Sequence, residues 1–292
     1  MLMIAMCLGI AFHSFFASFA IIAPYLIFVM LLITYCKISL TDIRFERFHF
    51  YLLAIQIAGS MVVYAMLAPF QPVVAQGAMI CLLAPTATSA AVITGMLGGN
   101  VASLTAYSIL ANLGVAVCAP LFFSVVGSHT DMSFVHSFLY ILKQVGPLLL
   151  LPLVFAVLLE KLVPKLHGMI RQRQSISFYL WSLALMIVIG KTVSFIIAQP
   201  SSQRWIELVI AGASLVICLL QFYLGRLIGS RAGQTVTGGQ GLGQKNTVLA
   251  IWMSHSYLDP IASVGPGAYV LWQNFVNSFQ LWYKQHKAGK IS

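Results

Sequence analysis

Acidic residues are nearly missing from this chain of 292: there are six, Asp42, Glu46, Asp131, Glu160, Glu207 and Asp259. Charged residues of both signs make up only 8%, against 60% hydrophobic residues and a mean hydropathy of +0.93. That balance excludes a water-soluble domain of this length. Paired cysteines are missing too. Cys7, Cys36, Cys81, Cys118 and Cys218 stand singly in apolar stretches, without a CxxC or Cys/His spacing, and their odd number argues against a full disulfide framework. They read as free packing thiols, and no metal site or cofactor is expected. No HExxH motif occurs, and the Ser254–His255 pair lies near a span end, where loop polarity accounts for it. No catalytic residue is expected, and the chain is not read as an enzyme.

What is present is a series of apolar runs, each near the 20 residues that a transmembrane helix needs. Period-two alternation, the mark of a membrane barrel, does not dominate. The chain therefore reads as an all-α polytopic membrane protein. Ten spans are expected, near 2–20, 22–38, 48–68, 73–97, 100–126, 137–160, 176–198, 205–228, 233–254 and 260–283. The first lacks the basic flank of a signal peptide, and a second apolar run follows at once, so it is read as a span.

Basic residues test this layout independently, because short cytoplasmic loops collect them. Lys37, Arg44, Arg47, Lys161, Lys165, Arg171, Arg173, Arg226, Arg231, Lys284, Lys287 and Lys290 all fall on one face. The opposite face receives only Arg204, so both termini are expected to be cytoplasmic. The net charge of +10 then reports topology and contact with bilayer headgroups, and makes no case for nucleic acid. Lys143, Lys191 and Lys245 remain inside spans; only Lys245 lies near mid-span, and no carboxylate does.

The fifth span opens "NVASLTAYSIL" and the tenth "PIASVGPGAYVL", a shared pattern of Ala-Ser, an aliphatic residue and small residues leading to Tyr. Each follows an interrupted span. The fourth carries "LLAPTATSAAVITG", where Pro85 removes a backbone donor, and the ninth carries "TGGQGLGQKNTV". An echo five spans apart makes an odd number of spans per repeat, hence two inverted repeats, 1–127 and 137–285, an arrangement common in secondary transporters. Close helix packing would account for Gly238 and Gly239. Gln240, Gln244, Lys245 and Asn246 each need a partner at membrane depth, which points to a site. The expectation is that Pro85, Gly241 and Gly243 break the two helices so that polar backbone lines it.

The stretches "APTATSAAVITGMLGGNVASLTAYSILANLGVAVCAPLF" and "GQKNTVLA…SVGPGAYVLWQN" resemble the bile acid:sodium symporter family, bacterial members included. The resemblance implies two inverted five-helix repeats, with spans one, two, six and seven as a panel domain and the other six as a core domain. Broken helices four and nine would cross near the midplane. It also implies a multi-pass protein of a bacterial inner membrane carrying small organic anions, such as carboxylates or bile acids, usually with sodium.

By the same resemblance Thr88, Ser89, Asn246, Gln273 and Asn274 are substrate-binding candidates, with Gln273 where relatives have histidine. The sodium ligands do not carry over. Ala90 and Ala91 replace the family's Ser-Asn, Leu104 a serine, Gly241 a glutamate and Lys245 a glutamine; Ser108 alone keeps a hydroxyl. Hard cations need oxygen ligands, which alanine and leucine lack. Lys245 is therefore expected to stand in for the ion, or to couple transport to protons, with its ammonium on carbonyls at a half-helix end. The expected function is sodium-independent secondary transport of a small organic anion by alternating access. The alternatives are a sodium-coupled symporter with altered ligands and a non-transporting membrane sensor on the same fold.

Overall fold

The computed structural model describes residues 2–36, 44–87, 89–127, 133–173, 175–198 and 204–288. Fourteen α-helices follow one another with no named strand among the described residues. They are α1 (Leu2–Ala11), α2 (His13–Ser18), α3 (Ala23–Tyr35), α4 (Arg47–Leu67), α5 (Pro72–Leu83), α6 (Ala90–Met96) and α7 (Val101–Val126). Then come α8 (Phe134–Leu162), α9 (Pro164–Gln172), α10 (Ser175–Ala198), α11 (Arg204–Arg231), α12 (Thr235–Gly243), α13 (Thr247–Tyr257) and α14 (Val264–Ala288). The fold is that of an all-α membrane protein.

Among the described residues, five helical segments are long and apolar enough to cross a bilayer: Arg47–Leu67, Val101–Val126, Phe134–Leu162, Tyr179–Ala198 and Arg204–Arg231. They occupy the third, fifth, sixth, seventh and eighth expected spans. Much of their apolar surface faces outward, as lipid demands; Leu208 is 75% exposed. The other expected spans hold shorter, interrupted or more polar helices. Between the sixth and seventh spans, where a loop is expected, the chain forms α9 instead, with Pro164 in its first turn and the basic residues Lys165 and Arg171.

Local chemistry sets several helix ends. Asn100 caps α7, its side chain accepting from Ser103 N at 3.0 Å. Glu46 and His49 form a reciprocal capping pair at the start of α4. Pro72 opens α5, where its missing N–H costs nothing.

The glycines of the ninth expected span act differently from the expectation that they break the helix. α12 runs without interruption through Gly241 to Gly243, and the break falls on Gln244, Lys245 and Asn246. Neither Gly241 nor Gly243 has a positive φ; among the described residues only Gly98 and Gly233 do. What these glycines supply is space. A Cβ on Gly238 would strike the carbonyl oxygen of Gly225 on α11 and come within 2.9 Å of Gly229 Cα. One on Gly241 would lie 2.8 Å from the Tyr107 ring, and one on Gly243 2.5 Å from that of Phe222. Small residues let α11 and α12 touch backbone to backbone, as in close membrane helix pairs.

Gly238→Ala should therefore overpack a rigid contact and lower stability by about 1–3 kcal/mol. Gly212→Ala, on the open face of α11 where nothing lies within 4 Å, should not destabilise. Thermal unfolding of the two purified variants in detergent checks this. Equal melting temperatures would remove the glycine contact as a structural requirement.

Candidate functional site

Two helices stop in the interior, and each stop exposes backbone groups that lipid cannot satisfy. The first follows α5 at 84–87, before α6; the second is at 244–246, between α12 and α13. They meet as an isolated antiparallel bridge between Thr86 and Lys245. Ala87 N donates to Gln244 O at 2.9 Å, and Asn246 N donates to Pro85 O at 2.8 Å.

The remaining groups follow one by one. In an uninterrupted helix the Cys81 carbonyl would accept from residue 85, but Pro85 has no N–H. Gln221 Nε2, from α11, supplies that bond at 3.2 Å. Leu82 O accepts instead from Lys245 Nζ at 2.9 Å. Leu83 O and Ala84 O both accept from Gln56 Nε2 on α4, at 2.8 and 3.1 Å. In the second break Lys245 N donates to Gln273 Oε1 at 2.8 Å rather than to Gly241 O. Gly241 O is taken by the Thr86 hydroxyl at 2.8 Å, and Gly243 O by the Tyr269 hydroxyl at 2.7 Å. Diverted donors, rather than flexible glycines, stop the helix.

Several sequence candidates gather here. Lys245 is 1% exposed, so its stem does not snorkel to water, and its Nζ donates to a carbonyl in the last turn of α5. That placement puts an amine donor at the negative end of a helix. Gln273 is buried and holds the Lys245 backbone. Asn246 caps α13 by accepting from Leu249 N at 3.2 Å, and the Ser89 hydroxyl accepts from Gln244 Nε2 at 2.9 Å. Asn274 is not drawn in; its amide donates at 2.6 Å to Val270 O, one turn back on its own helix. Pro85 lies in the first break, whereas Gly241 lies inside α12 and Gly243 ends it. Thr88 lies outside the described residues. Of the positions compared with sodium ligands, Ala90 and Leu104 are fully or almost fully buried and bring no side-chain oxygen.

Gln56, Gln221, Tyr107 and Tyr269 are members of the site that the sequence reading passed over. The Tyr107 hydroxyl donates to Gln56 Oε1 at 2.7 Å, and Gln221 Nε2 donates to the Tyr269 hydroxyl at 3.0 Å. Each glutamine is a lone amide in an apolar helix, without the polar neighbours that singled out Gln240 and Gln244. Among the buried amide oxygens of the described residues without a protein partner, Gln221 Oε1 and Gln244 Oε1 belong to this site, which leaves them to water or to a donor on a ligand. Compared with models of known protein families and with curated proteins, the sequence matches none.

Lys245→Met keeps the apolar stem but orphans the Leu82 carbonyl, and should cost about 1–3 kcal/mol. Gln56→Leu, which orphans two carbonyls, should cost at least as much. Chemical or thermal unfolding in detergent reads both; a native-like melting temperature in either would show that its carbonyls find other partners.

Proposed function

We propose that this protein is a secondary transporter of a small organic anion, working by alternating access without sodium. The observation that carries this reading is the mutual completion of two interrupted helices around a buried lysine. Irregular backbone at membrane depth persists where it builds a site, and secondary transporters build theirs from discontinuous helices. The start of α13, capped by Asn246, turns the positive end of a half-helix toward the pairing, which suits a carboxylate. The ammonium of Lys245 on Leu82 O holds a place where a mobile cation would otherwise neutralise the carbonyl end of α5.

The resemblance to the bile acid:sodium symporter family supports the same reading and extends it. Residues 1–127 and 137–285 are then inverted repeats, and the paired Gln56–Tyr107 and Gln221–Tyr269 contacts, one in each half, agree with that. Spans one, two, six and seven form the panel, and the rest form the core that moves against it. Ser89, Asn246 and Gln273 face the anion, and the resemblance adds Thr88 to the binding residues. Lys245 either stays charged as a fixed surrogate or takes up a proton as the substrate binds. Both termini lie in the cytoplasm.

Purified protein in proteoliposomes, tested against a panel of carboxylates with and without sodium and pH gradients, decides the matter. Uptake should be saturable and unchanged by sodium. Lys245→Gln should lower it roughly tenfold, the scale of one lost charge-assisted hydrogen bond, without creating a sodium requirement. Strong sodium stimulation of the native protein would overturn the surrogate-cation reading, and absence of uptake across the panel would favour the sensor.

The topology has its own check. Single cysteines at Arg204 and His286, in a background with the exposed Cys7 changed to serine, should label from opposite sides of the membrane. Labelling from the same side would refute the layout of spans.

A further inference from the structure

A second feature lies on the outer surface, away from the paired breaks. α11 and α14 enclose an apolar groove of about 920 Å³ that ends at two cations, Arg226 and Lys284. Among the described residues, no carboxylate lines it. The Trp272 indole donates to Ala211 O at 3.2 Å and to Ser214 Oγ at 3.1 Å, which sets the register of the two helices. Arg226 lies twelve residues beyond Ser214, and Lys284 twelve beyond Trp272. With both cations in one groove, the helices run parallel, and the distance from the indole to the charges is about 18 Å.

That length is close to the depth of one leaflet, about half of a 30 Å hydrocarbon core. The groove opens sideways along its length, with Phe275 69% and Phe279 63% exposed. Its floor is apolar and its mouth is positive. We propose that it binds an anionic phospholipid, with an acyl chain along Leu219, Phe275 and Phe279 and the phosphate between Arg226 and Lys284. A neutral hydrocarbon would leave the two cations unanswered, and a small soluble anion would leave the groove empty. A lipid from the surrounding leaflet answers both.

The headgroup position touches both interrupted helices. Lys284 Nζ already donates to Met96 O, the last residue of α6, at 2.9 Å, which leaves two of its donors for a phosphate. The stem of Arg226 lies against Gly239 of α12, where an added Cβ would come within 2.6 Å of Cγ. A bound phosphate would join these two anchors and tie the end of α6 to the middle of α12. The inference stands apart from the transport reading, since it needs only the groove, its charges and a bilayer.

Native mass spectrometry of the full chain, released from mixed phosphatidylglycerol and phosphatidylcholine micelles, tests it. The native protein should retain phosphatidylglycerol in preference. Arg226→Gln and Lys284→Gln should each weaken that preference roughly fivefold, and together they should abolish it. Arg171→Gln/Arg173→Gln, exposed at and just beyond the end of α9, should leave it intact. Leu219→Trp, which fills the groove and keeps both charges, should lower retention of phosphatidylglycerol. Equal retention of the two lipids by the native protein would overturn the proposal. So would a preference that survives Arg226→Gln/Lys284→Gln, or displacement of the lipid by a soluble carboxylate.

Discussion

A carbonyl or N–H left unpaired away from water costs several kcal/mol, and this constraint organises the interior. The ends of α5 and α12 present a whole set of such groups in one small volume. None of those traced is answered from within its own helix. Backbone from the opposite break takes some, and side chains of Gln56, Gln221, Tyr269, Thr86 and Lys245 take the rest. The two breaks lie about 160 residues apart in the chain, and each completes hydrogen bonds of the other.

The demand reaches into the helices around the breaks. α4 and α11 each place one amide where a carbonyl needs it, and the tyrosines of α7 and α14 hold those amides in turn. Tyr107 and Phe222 can approach α12 only because Gly241 and Gly243 have no Cβ. The glycines of the ninth expected span thus serve the break indirectly, by admitting the rings and the α11 backbone. Lys245 acts here as a donor fixed by a covalent tether.

How much of this was legible in the sequence varies by residue. Pro85 announced its break because a missing N–H is a local property. Lys245, Gln244 and Asn246 stood out as polar residues in an apolar run, and the structure joins them to Gln273 and Ser89. The role of the glycines was misread. High glycine density predicts a weak helix, but close contact with α11 holds α12 regular through Gly243. Asn274 was grouped with its neighbour Gln273, yet adjacent residues on a helix point about 100° apart, and its amide turns to its own backbone.

The sequence by itself determined the class of protein, the positions of the long apolar helices and the presence of two interruptions. These follow from composition, run length and single residues, all of which act locally. Tertiary structure decided which groups satisfy the interruptions and the use of each glycine. It also decided the level at which Arg226 and Lys284 stand beside one groove. Those are pairings between segments far apart in the chain, and no local pattern encodes the partner of a buried carbonyl.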